Sequence, residues 1–166
     1  MTLRRALAGC VLAVAAMVLA ACASPPRAGA GADPRVGPWS GRLALQVEGN
    51  QAQSFSAGFE LRGRAQAGEL SLFSPIGGTL AVLTWAPGSA VLKANGETRN
   101  FDSVEALVTQ ATGAAIPVAA LFDWLSGVDT PVPGWQADLA QLGEGRLRAR
   151  RLTPTPPADL RVVLDR

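Results

Sequence analysis

From Trp39 onward the chain alternates apolar and polar side chains. Leu43, Leu45 and Val47 alternate with Arg42, Ala44 and Gln46, and this period of two predicts a strand with one dry face. Glu48-Gly49-Asn50 turns the chain. Phe55, Ala57, Phe59 and Leu61 then alternate with Ser54, Ser56, Gly58 and Glu60, which predicts a second strand and an antiparallel hairpin. Gly63 to Gly68 reads as a polar loop. Leu70 and Leu72 continue the alternation in a third strand, Gly78 to Trp85 forms a fourth, and Ala90 to Lys93 a fifth that ends at the Asn95-Gly96 turn.

The period then changes. Asp102-Ser103-Val104-Glu105 is close to a capping box with Asp102 as N-cap, and Val104, Leu107, Val108 and Ala111 fall on one helical face before Gly113. Pro117 suits the first turn of a second helix, in which Val118, Leu121, Phe122 and Leu125 share a face before Gly127. Beyond Pro131-Val132-Pro133-Gly134, the segments Trp135 to Leu139, Arg146 to Leu152 and Leu160 to Asp165 read as closing strands. A run of strands, a helix pair and a second run of strands define an α+β class, or a half-open antiparallel barrel with a helical cover.

The first residues follow a different pattern. Arg4 and Arg5 precede an uncharged stretch from Ala6 to Val18, and Leu19-Ala20-Ala21-Cys22 is a small-residue processing site, so residues 1–21 read as a signal peptide. The apolar run is too short for a spanning helix. Leu-Ala-Ala-Cys resembles the bacterial lipobox, which implies that Cys22 becomes the first residue and carries an S-diacylglycerol and an N-acyl chain. Leu7-Ala8-Gly9-Cys10 has the same form but no apolar region ahead of it, so Cys10 departs with the signal. Each buried methylene contributes about 0.8 kcal/mol, so several acyl chains anchor a protein without a membrane helix. Ala23 and Ser24, where enterobacterial sorting signals use Asp for inner-membrane retention, imply delivery to the outer membrane, facing the periplasm. The Ala-, Gly- and Pro-rich residues up to Pro38 complete segment 22–38 as a tether, which reaches about 50 Å when extended. Residues 39–166 form one domain.

Composition narrows the chemistry. Two of the 15 basic residues lie in the signal segment, leaving 13 against 13 acidic ones, so there is no basic excess to favour nucleic acid. The chain has no histidine and no tyrosine, and its two cysteines are accounted for. The usual general base, metal ligand and thiol nucleophile are therefore missing, and neither a metal site nor a cofactor is expected beyond the lipid on Cys22. The carboxylates Glu48, Glu60, Glu69, Glu97, Asp102, Glu105 and Asp123 sit at turns or on polar faces without converging. Ile76-Gly77-Gly78-Thr79 lacks the glycine pattern and lysine of a phosphate loop. An enzyme is not expected; binding remains.

Three motifs bring a family into view: Ser-Pro-Ile-Gly-Gly-Thr at 74–79, Thr-Gly-x-x-Ile-Pro at 112–117, and Leu-Phe-Asp-Trp-Leu-Ser-Gly at 121–127. From Trp39 through Leu139 the chain resembles the LolB family of outer-membrane lipoprotein receptors, with the match weakest from Leu139 to Arg151. The resemblance implies an incomplete antiparallel β-barrel with a short α-helical lid, whose apolar hollow takes the acyl chains of a lipoprotein. It also implies receipt of lipoproteins from the soluble periplasmic carrier LolA, and their insertion into outer-membrane phospholipid by a monomer, without ATP.

The residues alone leave several readings open. Ile76, between Pro75 and Gly77, reads by itself as a packed turn hydrophobe. The resemblance implies instead that Pro75-Ile76-Gly77 projects an exposed side chain for membrane insertion, with Ile in place of the familiar Leu. Leu43, Leu45, Phe55, Phe59, Leu70, Leu72, Leu107, Phe122 and Leu125 are candidates for an acyl-chain cavity, or they form an ordinary core. In the second case the protein is a structural or accessory envelope lipoprotein with a filled core. Arg146, Arg148 and Arg150 line one face of a strand, either merely solvated or meeting anionic headgroups or an acidic carrier.

Overall fold

The computed structural model describes residues 37–49, 53–112 and 114–165. The signal segment, Cys22, most of the tether and Gly113 lie outside the described residues. Six strands come first: β1 (Trp39–Val47), β2 (Gln53–Arg64), β3 (Ala67–Phe73), β4 (Thr79–Ala86), β5 (Ser89–Ala94) and β6 (Glu97–Phe101). Two helices follow, α1 (Val104–Thr112) and α2 (Val118–Leu125). Then come β7 (Trp135–Asp138), β8 (Arg146–Arg151) and β9 (Ala158–Leu164).

All nine strands make one antiparallel sheet in the order β6-β5-β4-β3-β2-β1-β9-β8-β7. Two consequences follow from that order. The last strand, β9, inserts between β1 and β8, so the C-terminal half joins the first meander rather than forming a second sheet. The edges are β6 and β7, and the chain between them is the helix pair, which must therefore cross the open side. The helices cover the sheet because they connect its two edges.

Directly opposed residues of an antiparallel pair share a face, so the register sorts the side chains. One face carries Leu45, Phe59, Leu61, Leu83, Trp85, Leu92, Leu147, Leu160 and Val162, all buried in a single core with Leu107, Phe122, Trp124 and Leu125 of the helices. The Phe122 ring lies 5.5 Å from Trp39 on β1 and 6.2 Å from Trp85 on β4, edge-on to both. Those strands are three steps apart, roughly 14 Å across a flat sheet. The sheet curves around α2, and the buried face is its inner wall.

Six strands precede the helices, one more than alternation predicts. Glu97–Phe101 (ETRNF) has polar residues on both sides and is exposed over all but its last residue, so no hydrophobic period marks it. It is an edge strand kept polar, as unpaired edges require. The predicted loop at 63–68 is much shorter, because Gly63 and Gly68 pair within the ladder and only Ala65-Gln66 turn the chain. A Cβ on Gly68 would come within 2.6 Å of the Trp85 ring, whose Nε1 donates to the carbonyls of Arg64 and Ala65 at 3.2 and 3.0 Å. Glycine there makes room for the indole that closes the turn. At α1 the cap is Ser103 rather than Asp102: the Ser103 Oγ accepts the amide of Ala106 at 3.1 Å, one residue later than the capping-box spacing suggests. The closing strands begin and end within two residues of their expected places.

Candidate functional site

The turn between β3 and β4 is built for rigidity. The amide of Gly77 donates to the Ser74 carbonyl at 2.9 Å, the amide of Ser74 donates to the Gly78 carbonyl at 2.8 Å, and the amide of Gly78 donates to Ser74 Oγ at 3.1 Å. Pro75-Ile76-Gly77 is thus a three-residue hairpin loop whose last residue takes the left-handed conformation, with Gly77 at φ +89°. Proline presets the first loop position and glycine relieves the last, which leaves Ile76 at the tip. Ile76 is 96% exposed, so the packed-turn reading does not describe it. Leu80, the extra residue where the β3–β4 register shifts, is exposed beside it.

The inner wall divides into two parts. Toward the far end of the sheet, Leu61, Leu83, Trp85, Ala90 and Leu92 are buried beneath the helices. Toward the Ile76 end, an in-register row runs from Ala94 through Ala81 and Leu72 to Phe59, and its first three members are only partly buried. Leu70 and Leu43 are likewise half-buried, and Phe55 is 37% exposed. This partly buried row leads along β3 and β4 into the exposed tip. Of the nine cavity candidates, Leu72 belongs to this partly buried row and Phe55 is exposed beyond it, whereas Leu43 stands between buried Ala57 and Val162 and Leu70 between buried Leu61 and Leu83, both partly buried against the core. Leu45, Phe59, Leu107, Phe122 and Leu125 are packed in the core. Ala81 and Ala94 join the wall through their neighbours' register, a placement for which small alternating residues give no strong signal.

The Leu121–Gly127 motif fixes the lid. Phe122 wedges between the two tryptophans, and Trp124, 1% exposed, lies 6.3 Å from the ring of Trp135 and donates from Nε1 to the Thr130 carbonyl at 2.9 Å. The Thr130 hydroxyl donates to Asp123 Oδ2 at 2.7 Å, which ties the following loop back to α2. Preceding the lid, the Thr112 side chain bonds the Val108 carbonyl at 2.8 Å at the end of α1.

The outer face of β1, β9 and β8 is basic. Register places Val163 between Arg42 and Arg146, and Arg161 opposite Arg148, while Asp159 faces Arg150. Asp159, 12% exposed, accepts two bonds from Arg148 (2.9 and 2.5 Å) and one from Arg161 (2.8 Å), with Arg150 Nε at 3.5 Å. Partial burial pushes the Asp159 carboxyl up, but the hydrogen bonds and charges of Arg148 and Arg161 outweigh it and hold the group below the ordinary carboxylate value. The sequence offers Arg146, Arg148 and Arg150 by spacing; Arg42, Asp159 and Arg161 join them only through strand order.

An open hollow of about 300 Å³ lies on the outer face among Val82, Lys93, Thr98 and the Asn95-Gly96 turn. It contains none of the cavity candidates and mixes charged with apolar groups, so it does not suit an acyl chain. Among the described residues, no helix is long and apolar enough to cross a membrane.

A family model described as "Outer membrane lipoprotein LolB" matches residues 38–153. Curated relatives carry the same name. The chain is 38% identical over 140 residues to the outer-membrane lipoprotein LolB of Cupriavidus pinatubonensis, covering 80% of this chain and 66% of that one. It is 33% identical over 162 residues to that of Bordetella petrii, covering 82% and 81%. With the Bordetella pertussis protein the identity is 40% over 114 residues, which spans 57% of the relative.

Proposed function

The chain belongs to the LolB family of outer-membrane lipoproteins, and on that premise we propose that it takes lipoprotein acyl chains from a LolA-type periplasmic carrier and inserts them into the outer membrane. The observation that carries the reading is the nearly fully exposed Ile76 on a rigid loop, joined along β3 and β4 to an apolar wall that the lid leaves half open. Burying an Ile side chain is worth about 1.5–3 kcal/mol, and a scaffold gains nothing by withholding it. A membrane recovers that energy.

The partly open end of the wall, with Phe55 and Leu72, receives the acyl chains, Leu43 and Leu70 lie behind it at the edge of the core, and Phe122 and its tryptophan neighbours hold the lid over the remainder. Because part of the wall is open, bound chains stay partly in contact with water, so a bilayer that buries them fully draws them onward without nucleotide. No covalent step is involved. Cys22, acylated, anchors the protein. The chain enters β1 at Trp39, the end of the sheet away from Ile76. Nine residues of β1 span about 30 Å, less than the roughly 50 Å reach of the tether, so the tip can touch the bilayer that holds the anchor.

One feature favours a second reading. Leu45, Phe59, Leu107, Phe122 and Leu125 fill the core, as an accessory envelope lipoprotein without cargo would require. Transfer of a radiolabelled lipoprotein from a LolA-type carrier to the chain, followed by addition of liposomes, separates the two. Movement of label to the chain and then to the liposomes is expected, and retention on a competent carrier would establish the scaffold. Cys22→Ala should release the protein from the membrane fraction while leaving cargo acceptance measurable, because the anchor forms no part of the wall.

A further inference from the structure

The outer surface is electrically lopsided in a way that neither the acyl-chain wall nor the tip explains. On the outward positions of β2–β5, Arg62, Arg64 and Lys93 alternate with Glu60 and Glu69, and Glu60 pairs Arg62 at 2.5 Å. On the outward positions of β1, β9 and β8 the basic residues are Arg42, Arg146, Arg148, Arg150 and Arg161, against Asp159 on β9 and Asp138, which stands opposite Arg148 on β7. Asp159 is shared among three of them, and Arg146 additionally reaches Glu144 at 3.4 Å on the rim. Five guanidiniums stand against three carboxylates, Asp138, Glu144 and Asp159, so this end of the face keeps a cationic excess on solvent-exposed side chains.

The register fixes where this face lies. Arg42, Val163 and Arg146 stand in the same row as Phe73, the last residue of β3. Arg161 and Arg148 lie one outward row further on, level with Pro75 if β3 were continued; Arg150 lies two rows on, level with Gly77. The arginines thus cluster at the end of the sheet that carries Ile76, not at the end where the chain enters. Apolar side chains stand among them: Val163 is 51% exposed between Arg42 and Arg146, and Leu152, exposed, follows β8. Arginine mixed with isolated exposed aliphatics, level with an apolar tip, matches the boundary between headgroups and acyl chains.

We propose that the convex face of β1, β9 and β8 binds the anionic headgroups of the bilayer that Ile76 enters, so that Arg42, Arg146 and Arg150 set the docking of the tip and make it depend on anionic phospholipid. This rests on the insertion role of Ile76 given above. An acidic protein would meet the same charges, but it would have to occupy the space of the headgroups once the tip is inserted.

The test uses the acylated full chain with Ile76 intact and the exposed Thr79 beside the loop changed by Thr79→Cys and labelled with an environment-sensitive dye, on vesicles of phosphatidylcholine and on vesicles with equal parts phosphatidylglycerol. A blue shift in both, larger on the anionic vesicles, is expected. Arg42→Gln, Arg146→Gln and Arg150→Gln together, which leave the Arg148–Asp159–Arg161 cluster intact, should lower the tip-inserted population on anionic vesicles by about ten-fold or more and leave the neutral value unchanged. Lysine at the three positions should restore it. An equal shift on both vesicle types, or an anionic response untouched by the glutamines, would overturn the headgroup assignment. So would slowed cargo uptake from the carrier with an unchanged dye response, which would assign the face to an acidic protein. No blue shift on any vesicle would instead refute the insertion role itself.

Discussion

On β3 and β4, Leu72 and Ala81 face Leu70, Leu83 and Trp85 along the same inner wall, yet the two ends of that wall differ. Leu83 and Trp85 lie under the lid with Phe122 against the Trp85 ring, while Leu72 and Ala81 are left partly open to solvent. The covered part behaves as a hydrophobic core and holds the fold. The partly open part has the same chemistry with less burial, and on the proposed function the remainder is what a ligand would cover. What separates them is not residue type but the path of the helix pair between the sheet edges.

Breaking the covered part should have the largest effect. Phe122→Ala removes the ring wedged between Trp39 and Trp85 and should lower stability by about 3–5 kcal/mol, read by denaturant unfolding. Leu72→Ala, which truncates a partly buried side chain at the edge of the core, should cost less, about 2 kcal/mol, but should weaken capture of a fluorescent fatty-acyl probe. A loss at Leu72 as large as that at Phe122 would mean the wall is a filled core and would remove the distinction.

A smaller effect belongs to the outer face, where Asp159 on β9 is held by Arg148 on β8. Its carboxyl is held below the ordinary value in the folded protein, so its contribution is present above the unfolded carboxylate value near about pH 4 and fades as pH falls through the folded-state value. With exposed arginine partners the contribution is at most about 1 kcal/mol. Asp159→Asn should therefore unfold slightly more easily at neutral pH and match the parent at strongly acid pH. A difference that persists in acid would assign the effect to packing.

Much of this arrangement is legible in the sequence, and the exceptions have physical causes. The alternation from Leu43 to Phe59 and the spacing from Val118 to Leu125 locate strands and a helix because one face of each is dry. Glu97–Phe101 escapes notice because an exposed edge strand needs no dry face. Leu72 and Leu83 look alike because a partly open leucine and a leucine under a helix follow the same pattern. The arginine face is only half visible, because nothing in the chain order announces that β9 returns between β1 and β8 to bring Arg161 and Asp159 beside Arg148. Ile76 is the clearest case: turn chemistry requires the flanking Pro75 and Gly77 but is indifferent to the residue between, so the residues alone favour a packed side chain.

That indifference makes Ile76 the sharpest test, at the smallest cost to the fold. The turn between β5 and β6 closes with two residues, Asn95 at φ +53° and Gly96 at φ +78°, and no apolar one, so a hairpin of this sheet does not need an apolar tip. Ile76→Glu should therefore change stability by no more than about 0.5 kcal/mol, because the side chain touches little in the folded protein. A carboxylate at the tip cannot enter hydrocarbon, so label should accumulate on the chain after leaving the carrier and fail to pass to liposomes. Arrest at that step, with uptake intact, would separate the wall that accepts cargo from the tip that releases it. Unimpaired passage to liposomes would show that the exposed Ile76 takes no part in insertion, and the open wall alone would then have to carry delivery.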